Sequence, residues 1–263
     1  MERRTRPTAV AGTFYPADPA RLRDRVDGLL LAADPPPAPP PRALIVPHAG
    51  YRYSGGVAAA AYAHLRATRP EAAPVLAIGP AHFVPFEGLA LPAAEAVASP
   101  LGTIPLDEPL QQRLRAFPQV AELGDAHRPE HSLEVQFPFL QVVLEDPRLA
   151  LLTVGRAVPV AVAGPIAAVL ADPDALVVVS SDLSHGHDAA TAARLDAGTA
   201  EAIEALQPDR LRPDAACGRT AVAGLLLAAA DLGLRPVRLD LRTSADTAGS
   251  PERVVGYGAW TFG

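Results

Sequence analysis

The chain contains four short, uninterrupted apolar runs of the kind that form strands buried on both faces of a largely parallel sheet. They cover residues 43–46, 75–78, 149–154 and 176–179. Apolar residues at helical spacing predict helices between these runs, and two more strands are predicted near the C-terminus. The predicted helices are residues 19–33, 56–65, 108–117, 131–144, 160–170, 189–206 and 220–232, and the later strands are residues 237–241 and 254–261.

This alternation of strands and helices predicts an α/β fold, a sandwich in which helices flank a mainly parallel or mixed central sheet. The length of 263 residues suits one large domain, and no internal repeat interrupts it, so we expect a single domain over residues 1–263. The proline-rich segment 35–41 is interpreted as an extended spacer within that domain, because prolines exclude both helix and central strand.

Charge and hydropathy exclude several partners. The net charge is −6 and the arginines are scattered, so the chain lacks the basic stripe of a nucleic-acid-binding protein. No apolar run approaches the ~20 residues of a membrane span, and the segment Met1 to Arg6 does not lead into an apolar signal core. We therefore expect no membrane association and a cytoplasmic location.

The side chains available for chemistry are limited. Cys217 is the only cysteine, which excludes zinc sites built from several thiolates. All 23 basic residues are arginine, so a Walker-type phosphate lysine and a Schiff-base lysine are also excluded. Any metal must be bound by histidine and carboxylate, and Cys217 is interpreted as a small buried residue.

Polar side chains follow three of the four buried strands. His48 follows the first, His82 the second, and Asp182 and His185 the fourth. Ligands of open α/β sheets bind beyond the carboxyl ends of the strands, so these side chains are expected to converge on one site. Neutral imidazoles with a carboxylate suit non-haem iron(II), and three histidines suit zinc equally well, so the pattern leaves the metal open.

A further histidine lies in the segment 127–131, which spells the H-x-x-E-H pattern of one zinc protease class. Pro129 argues against that site, because proline is far more common at the start of a helix than in its interior. The predicted helix then starts near Pro129 and carries His131 in its first turns. His131 is a candidate general acid or base facing the same crevice, and a purely structural role is equally open.

The chain resembles the Memo-like proteins, a family also called AmmeMemoRadiSam system protein B in bacteria and archaea. Seven motifs carry the resemblance, in order along nearly the whole chain. They are AGTFYP (11–16), PHAGY (47–51), GPAH (79–82), EHSLE (130–134), SSD (180–182), CGR (217–219) and VGY (255–257).

The resemblance implies a fold similar to the class III extradiol ring-cleaving dioxygenases. It also implies a cleft formed by His48, His82 and His185, with Asp182 beside them. Eukaryotic relatives are linked to motility signalling, phosphotyrosine peptides and iron or copper binding. The prokaryotic relatives are named for association with a radical-SAM protein and an AMMECR-type protein, and these become the expected partners of a bacterial chain.

The chain differs from the eukaryotic relatives in one motif. Those relatives have a cysteine in the site, on the loop before the last strand. This chain has residues 243–247, TSADT, there. Asp246 or Thr247 occupies that place, which argues against thiol-based redox or copper chemistry of the kind implied by those relatives. Iron(II) is the favoured metal, with zinc and copper as the alternatives. Asp246 could instead supply the carboxylate of an iron-binding facial triad.

Three functions remain open from the sequence. The first is an iron(II)-dependent oxidoreductase in which His131 or His185 moves a proton. The second is a zinc-dependent hydrolase in which the metal activates a bound water. The third is a non-catalytic protein that binds a peptide, a partner or a small molecule in the same cleft, because one fold hosts many functions.

Overall fold

The computed structural model describes residues 4–263 and centres on a nine-stranded mixed sheet. Residues 1–3, which belong to the segment Met1 to Arg6 used above in predicting no signal core, lie outside the described part. The strands of this sheet are β2 (Ala43–Val46), β3 (Val75–Pro80), β4 (Leu89–Leu91), β7 (Val120–Glu122), β8 (Leu149–Val154), β9 (Leu176–Ser180), β10 (His185–His187), β11 (Pro236–Thr243) and β12 (Val254–Phe262). The strand order is β10-β12-β2-β9-β3-β8-β4-β7, and β11 pairs with β12 outside this path.

The centre of the sheet is the parallel block β2-β9-β3-β8, formed by the four apolar runs. Every residue of these four strands is buried, which explains why their sequences are continuously apolar rather than alternating. The outer pairs β12-β2 and β4-β8 are antiparallel. The predicted mixed, mainly parallel α/β fold is confirmed.

Helices cover both faces of the sheet. The helices are α1 (Pro19–Ala32), α2 (Gly55–Thr68), α3 (Glu108–Arg115), α4 (Gly124–His127), α5 (Phe137–Val143), α6 (Pro159–Leu170), α7 (Ala189–Glu204) and α8 (Arg219–Leu232). Alternate strand residues belong to two hydrophobic clusters, one on each face. Leu44 is in the cluster with α1, α2 and α5, whereas Ile45 is in the cluster with α3, α6, α7 and α8.

Within residues 4–263, no helix combines the length and apolar character needed to cross a membrane.

Several short elements were not predicted. A small second sheet has the order β1-β5-β6, formed by Thr5–Arg6, Ala96–Ser99 and Gly102–Pro105. Strands this short carry too little periodicity to be recognised in sequence unless, like β2, they are continuously apolar. The three-residue strands β4, β7 and β10 were not predicted for the same reason.

The predicted helix 131–144 begins later in the structure. A 3-10 turn at Glu134–Gln136 precedes α5, and His131 lies in the irregular segment before it. The Glu130 carboxylate accepts hydrogen bonds from the backbone amides of His131 and Ser132, so these amides do not need helical partners. His131 is thus held by a side-chain contact rather than by a helix.

The contact between β12 and α7 generates a stability prediction. A Cβ on Gly256 would overlap Oδ2 of the buried Asp196, whereas a Cβ on Gly28 in α1 would meet nothing within 4 Å. We expect Gly256→Ala to lower the free energy of unfolding by about 1–3 kcal/mol, because buried groups must shift. Gly28→Ala should raise it by roughly 0.5–1 kcal/mol, since alanine favours a helix interior. Urea unfolding measures both, and equal effects would contradict the close contact.

Candidate metal centre

Three histidines meet at the carboxyl edge of the parallel block. One ligand nitrogen from each of His48, His82 and His131 lies within 4.8 Å of the others. Ring centroids are 5.3 Å apart for His48 and His82 and 4.6 Å apart for His82 and His131, whose rings stack. Among residues 4–263, this is the group of histidine, cysteine or carboxylate side chains whose spacing suits a metal ion.

The topology explains why His48 and His82 converge. His48 follows β2 and His82 follows β3, and both strands pair in parallel with β9, which lies between them. Their carboxyl ends therefore meet at one edge of the sheet, as the sequence predicted. β9 contributes Ser180 at its own end, directly between the two histidines in strand order.

The tautomer of His48 follows from its hydrogen bonds. The Gln136 amide nitrogen donates to the Pro47 carbonyl at 3.0 Å and to Ser180 Oγ at 2.8 Å. Ser180 Oγ donates its only proton to the Ser132 carbonyl at 2.6 Å. His48 Nδ1, 3.0 Å from Ser180 Oγ, must therefore be the donor of that contact. The lone pair of the neutral ring is left on Nε2, where a metal could bind it.

His82 is oriented by a buried carboxylate. Oε1 of Glu130 accepts from His82 Nδ1 at 2.9 Å, and Oε2 accepts from the His82 backbone amide. Burial alone raises the pKa of Glu130, but the hydrogen bonds from His82 and Ser132 lower that pKa to about 2. Glu130 is thus an anionic acceptor, and His82 Nε2 is left free. A carboxylate behind a metal-binding histidine is a recurrent arrangement that fixes the ring and raises its basicity.

His131 contributes a nitrogen without a protein partner. Its Nδ1 is buried and forms no hydrogen bond with the described residues, although Glu130 Oε1 lies 3.4 Å away. Leaving a buried polar nitrogen unpaired costs about 1–3 kcal/mol, so such atoms usually have a role. One nitrogen of this ring belongs to the three-histidine group, and a set of three imidazole donors fits a divalent transition metal.

The charge states also suit coordination. Burial, with the neighbouring His82, lowers the pKa of His48 to about 3. Burial, with the neighbouring His48, lowers the pKa of His131 to about 4. Both rings are therefore neutral at pH 7, which is the form that binds metals.

Asp182 and His185 do not belong to the group of His48, His82 and His131. Asp182 Oδ1 accepts from the His48 backbone amide at 2.7 Å, so this oxygen positions the histidine-bearing loop. Burial raises the pKa of the Asp182 carboxyl, while the hydrogen bond from His48 opposes that shift. His185 is exposed, and its Nδ1 donates to the Leu183 carbonyl at 2.8 Å. Their predicted role as metal ligands stays a prediction.

Asp246 is also separate from the three histidines. It is exposed, and its Oδ2 accepts from both the amide and the hydroxyl of Thr243. This capping box begins the 3-10 turn Ser244–Asp246, so the carboxylate is occupied locally. One oxygen of Asp246 is thus bound locally, and its role as the carboxylate of a facial triad stays a prediction.

Cys217 was assigned no site role from the sequence, yet its Sγ lies 3.3 Å from His48 Nε2. Burial and the nearby Asp182 raise the pKa of the Cys217 thiol to about 12, so it is protonated at neutral pH. The thiol can therefore donate to the free nitrogen of His48. No local pattern signals this contact, because Cys217 is far from His48 in sequence.

A cleft opens onto the metal centre. The cavity has a volume of about 540 Å³, and His131 and Asp182 both line it. Phe14, whose ring centroid is 4.9 Å from that of His131, and Tyr257 form parts of its wall. The size is typical of a small-molecule site.

The Glu130 contact can be tested through metal affinity. Glu130→Gln replaces one acceptor oxygen with an amide nitrogen, so it cannot accept all the bonds from His82, His131 and Ser132. We expect zinc binding to weaken by ~10–100-fold, the effect typical of removing the partner behind a ligand histidine. Competition with a coloured chelator measures this. The exposed Glu87→Gln serves as control, and unchanged zinc affinity in Glu130→Gln would contradict the positioning role.

Comparison with known proteins identifies the family of this chain. The family model described as Memo-like protein matches residues 6–261. A MEMO1 family protein of Aquifex aeolicus is 35% identical, with 97% of each chain covered. One from Thermotoga maritima is also 35% identical, covering 96% of this chain and 97% of its own.

A solved structure of an uncharacterized protein from Escherichia coli K12 shares the fold. It has a TM-score of 0.53 at 14% sequence identity, covering 82% of this chain and 98% of its own. That likeness concerns the fold alone. The near-complete family match and the two relatives together establish that the chain belongs to the Memo-like family.

Proposed function

We propose that the chain is a metal-dependent enzyme that binds iron(II) through His48, His82 and His131 and oxidises a small molecule bound in the adjacent cleft. The observation that carries the proposal is the convergence of three histidine nitrogens within 4.8 Å of one another. The rings of His48 and His131 are neutral, and the ring of His82 is oriented by Glu130. Resemblance to the extradiol dioxygenases supports oxidative chemistry with dioxygen. When bound, iron(II) would supply open positions for substrate and dioxygen.

Residues around the three histidines would support this chemistry. Ser180 and Glu130 hold the rings of His48 and His82 through their Nδ1 atoms, which leaves the lone pairs on Nε2. The Cys217 thiol, which lies 3.3 Å from His48 Nε2, would give up that contact to a metal. Asp182 lines the cleft, and its Oδ2 has no hydrogen-bond partner among the described residues, so it is placed to accept or return a substrate proton. His185 Nε2 is a second proton acceptor, because Nδ1 already donates to Leu183.

This assignment changes the role first considered for His131. The sequence suggested an acid or base, with Asp182 and His185 among the ligands. The position of His131 within the three-histidine group favours coordination instead, and it leaves proton transfer to Asp182 and His185.

A zinc-dependent hydrolase is the second candidate. Three histidines with an open position form the ligand set of one class of catalytic zinc site, in which the metal lowers the pKa of bound water to about 7. Asp182 would then be the base beside that water. The association with radical-SAM and AMMECR-type proteins rests on the family resemblance and stays a prediction.

Metal content tests the centre directly. The anaerobically purified chain, reconstituted separately with iron(II) and with zinc, should retain close to one metal per chain by plasma mass spectrometry. His48→Ala, His82→Ala and His131→Ala should each lose it, because each removes one of three protein ligands. His185→Ala and His187→Ala serve as matched controls, because both remove a histidine from β10 rather than from the group of three. Both variants should retain the metal.

The outcomes separate the candidates. Retention of metal by His131→Ala with loss in His185→Ala would overturn the ligand set in favour of His185. Oxygen consumption by the iron-loaded chain with small catechols, absent in the zinc-loaded chain, would support the oxidative reaction. Metal that is substoichiometric in the wild type after reconstitution would favour a non-catalytic binding protein.

A further inference from the structure

Residues 35–41, here called the proline segment, connect α1 to the amino end of β2. His48 follows the carboxyl end of the same strand, so the proline segment and the three histidines lie at opposite edges of the sheet. The proline segment reads PPPAPPP. Its surface is therefore separate from the metal centre and its cleft.

The conformation of the proline segment follows from its sequence. A proline ring fixes φ near −65°, and the residue before a proline is restricted to extended backbone. Ala33, which ends α1, already has φ −79° and ψ 133°. These angles are those of a polyproline-II helix, which makes one turn in about three residues.

The burial of the proline segment repeats with that period. Pro35, Ala38 and Pro41 are partly or fully buried and form one inner edge. The two outer edges are exposed, and they consist of Pro36 with Pro39 and of Pro37 with Pro40. A period of three in burial is what a polyproline-II helix lying on one of its three edges would show.

The rest of the fold holds the inner edge in place. Ala38 packs against the hydrophobic cluster that contains α1, α2 and α5. The buried His64 of α2 donates from Nε2 to the Pro39 carbonyl at 2.8 Å, and Arg69 donates to the Pro41 carbonyl at 2.7 Å. The exposed edges are thus pre-organised, so a partner that bound them would order little additional chain.

The outer side offers the two features by which polyproline-II helices are recognised. It presents pairs of proline rings three residues apart, which fit between the aromatic side chains of a groove. Within residues 4–263, the carbonyls of residues 35–38 accept no hydrogen bond, so they are available to tyrosine or tryptophan donors. A groove that receives two edges leaves the third free, and here the third edge is the one bound to the fold.

Charge at the ends of the proline segment indicates the rim of such a groove. Asp34, which precedes the segment, is exposed, and it forms no salt bridge with the other described residues. The guanidinium groups at the other end, those of Arg42 and Arg69, donate to backbone carbonyls. A basic side chain at the rim would therefore complement the free charge of Asp34.

We propose that the outer face of the proline segment docks a partner protein through a groove that is lined by aromatic side chains and has a basic side chain at the end that receives Asp34. The interaction is independent of the proposed metal chemistry, because the two surfaces lie at opposite edges of the sheet.

Binding of defined domains tests the proposal. A purified WW domain and a purified EVH1 domain, each with a basic rim and labelled with nitrogen-15, are titrated with the unlabelled full chain. Both domains recognise polyproline-II helices through aromatic grooves. We expect at least one of them to bind, with chemical-shift changes at its aromatic groove and the same affinity for metal-free and metal-loaded chain.

Variants of the chain locate the surface. Pro37→Ser/Pro40→Ser removes one exposed edge and should weaken binding by about tenfold or more, because the rings that enter the groove are lost. Asp34→Asn should weaken binding by about threefold and reduce its salt dependence. The matched control is Pro19→Ser/Pro109→Ser, which replaces two exposed prolines in the first turns of α1 and α3 and should bind like the wild type. Urea unfolding checks that every variant is folded.

Three results would overturn the proposal. One is the absence of binding to both domains, and another is equal binding by the wild type and Pro37→Ser/Pro40→Ser. The third is self-association of the chain in sedimentation velocity that Pro37→Ser/Pro40→Ser abolishes, which would assign the proline segment to a second copy instead. Loss of metal in the histidine variants leaves the docking surface intact, so failure of either proposal is distinguishable from failure of the other.

Discussion

The buried carboxylate of Glu130 is the contact on which the rest of the site depends. It accepts the ring and amide protons of His82 and the backbone amides of His131 and Ser132. One side chain thereby joins the end of β3 to the irregular segment before α5. Because four donors share this carboxylate, its negative charge is stabilised despite burial, and two of the three histidines are placed by the same group.

A second buried carboxylate joins the N-terminal segment to the same region. Glu134 accepts from the amides of Ala9 and Val10 and from the Tyr15 hydroxyl, and its partner Arg6 contacts it and the Glu130 carbonyl. The motif around residues 11–16 is therefore close to the site, which places Phe14 against His131. Buried polar networks of this kind are stable only when each member has its partners, so several of the family motifs are linked by one set of hydrogen bonds.

Geometry and charge then divide the cleft into two regions. The imidazoles of His48 and His131, kept neutral by burial, form with His82 the end that could hold a metal ion. The guanidinium groups of Arg52 and Arg253 lie along the wall. The parallel block of the sheet provides a rigid base for the first region, and loops before β12 and after β2 provide the second.

The sequence by itself determined the α/β class, the four central strands and the location of His48, His82 and Asp182, because these depend on local patterns: continuous apolar runs and polar residues directly after them. Tertiary structure alone decided which side chains meet. His131 enters the group through the long-range contact of Glu130 with His82, Cys217 reaches His48 across the sheet edge, and Asp246 is turned to its own capping box. Hydrogen-bond geometry between distant segments leaves no periodic signal in the chain, so the ligand set could not be read from spacing.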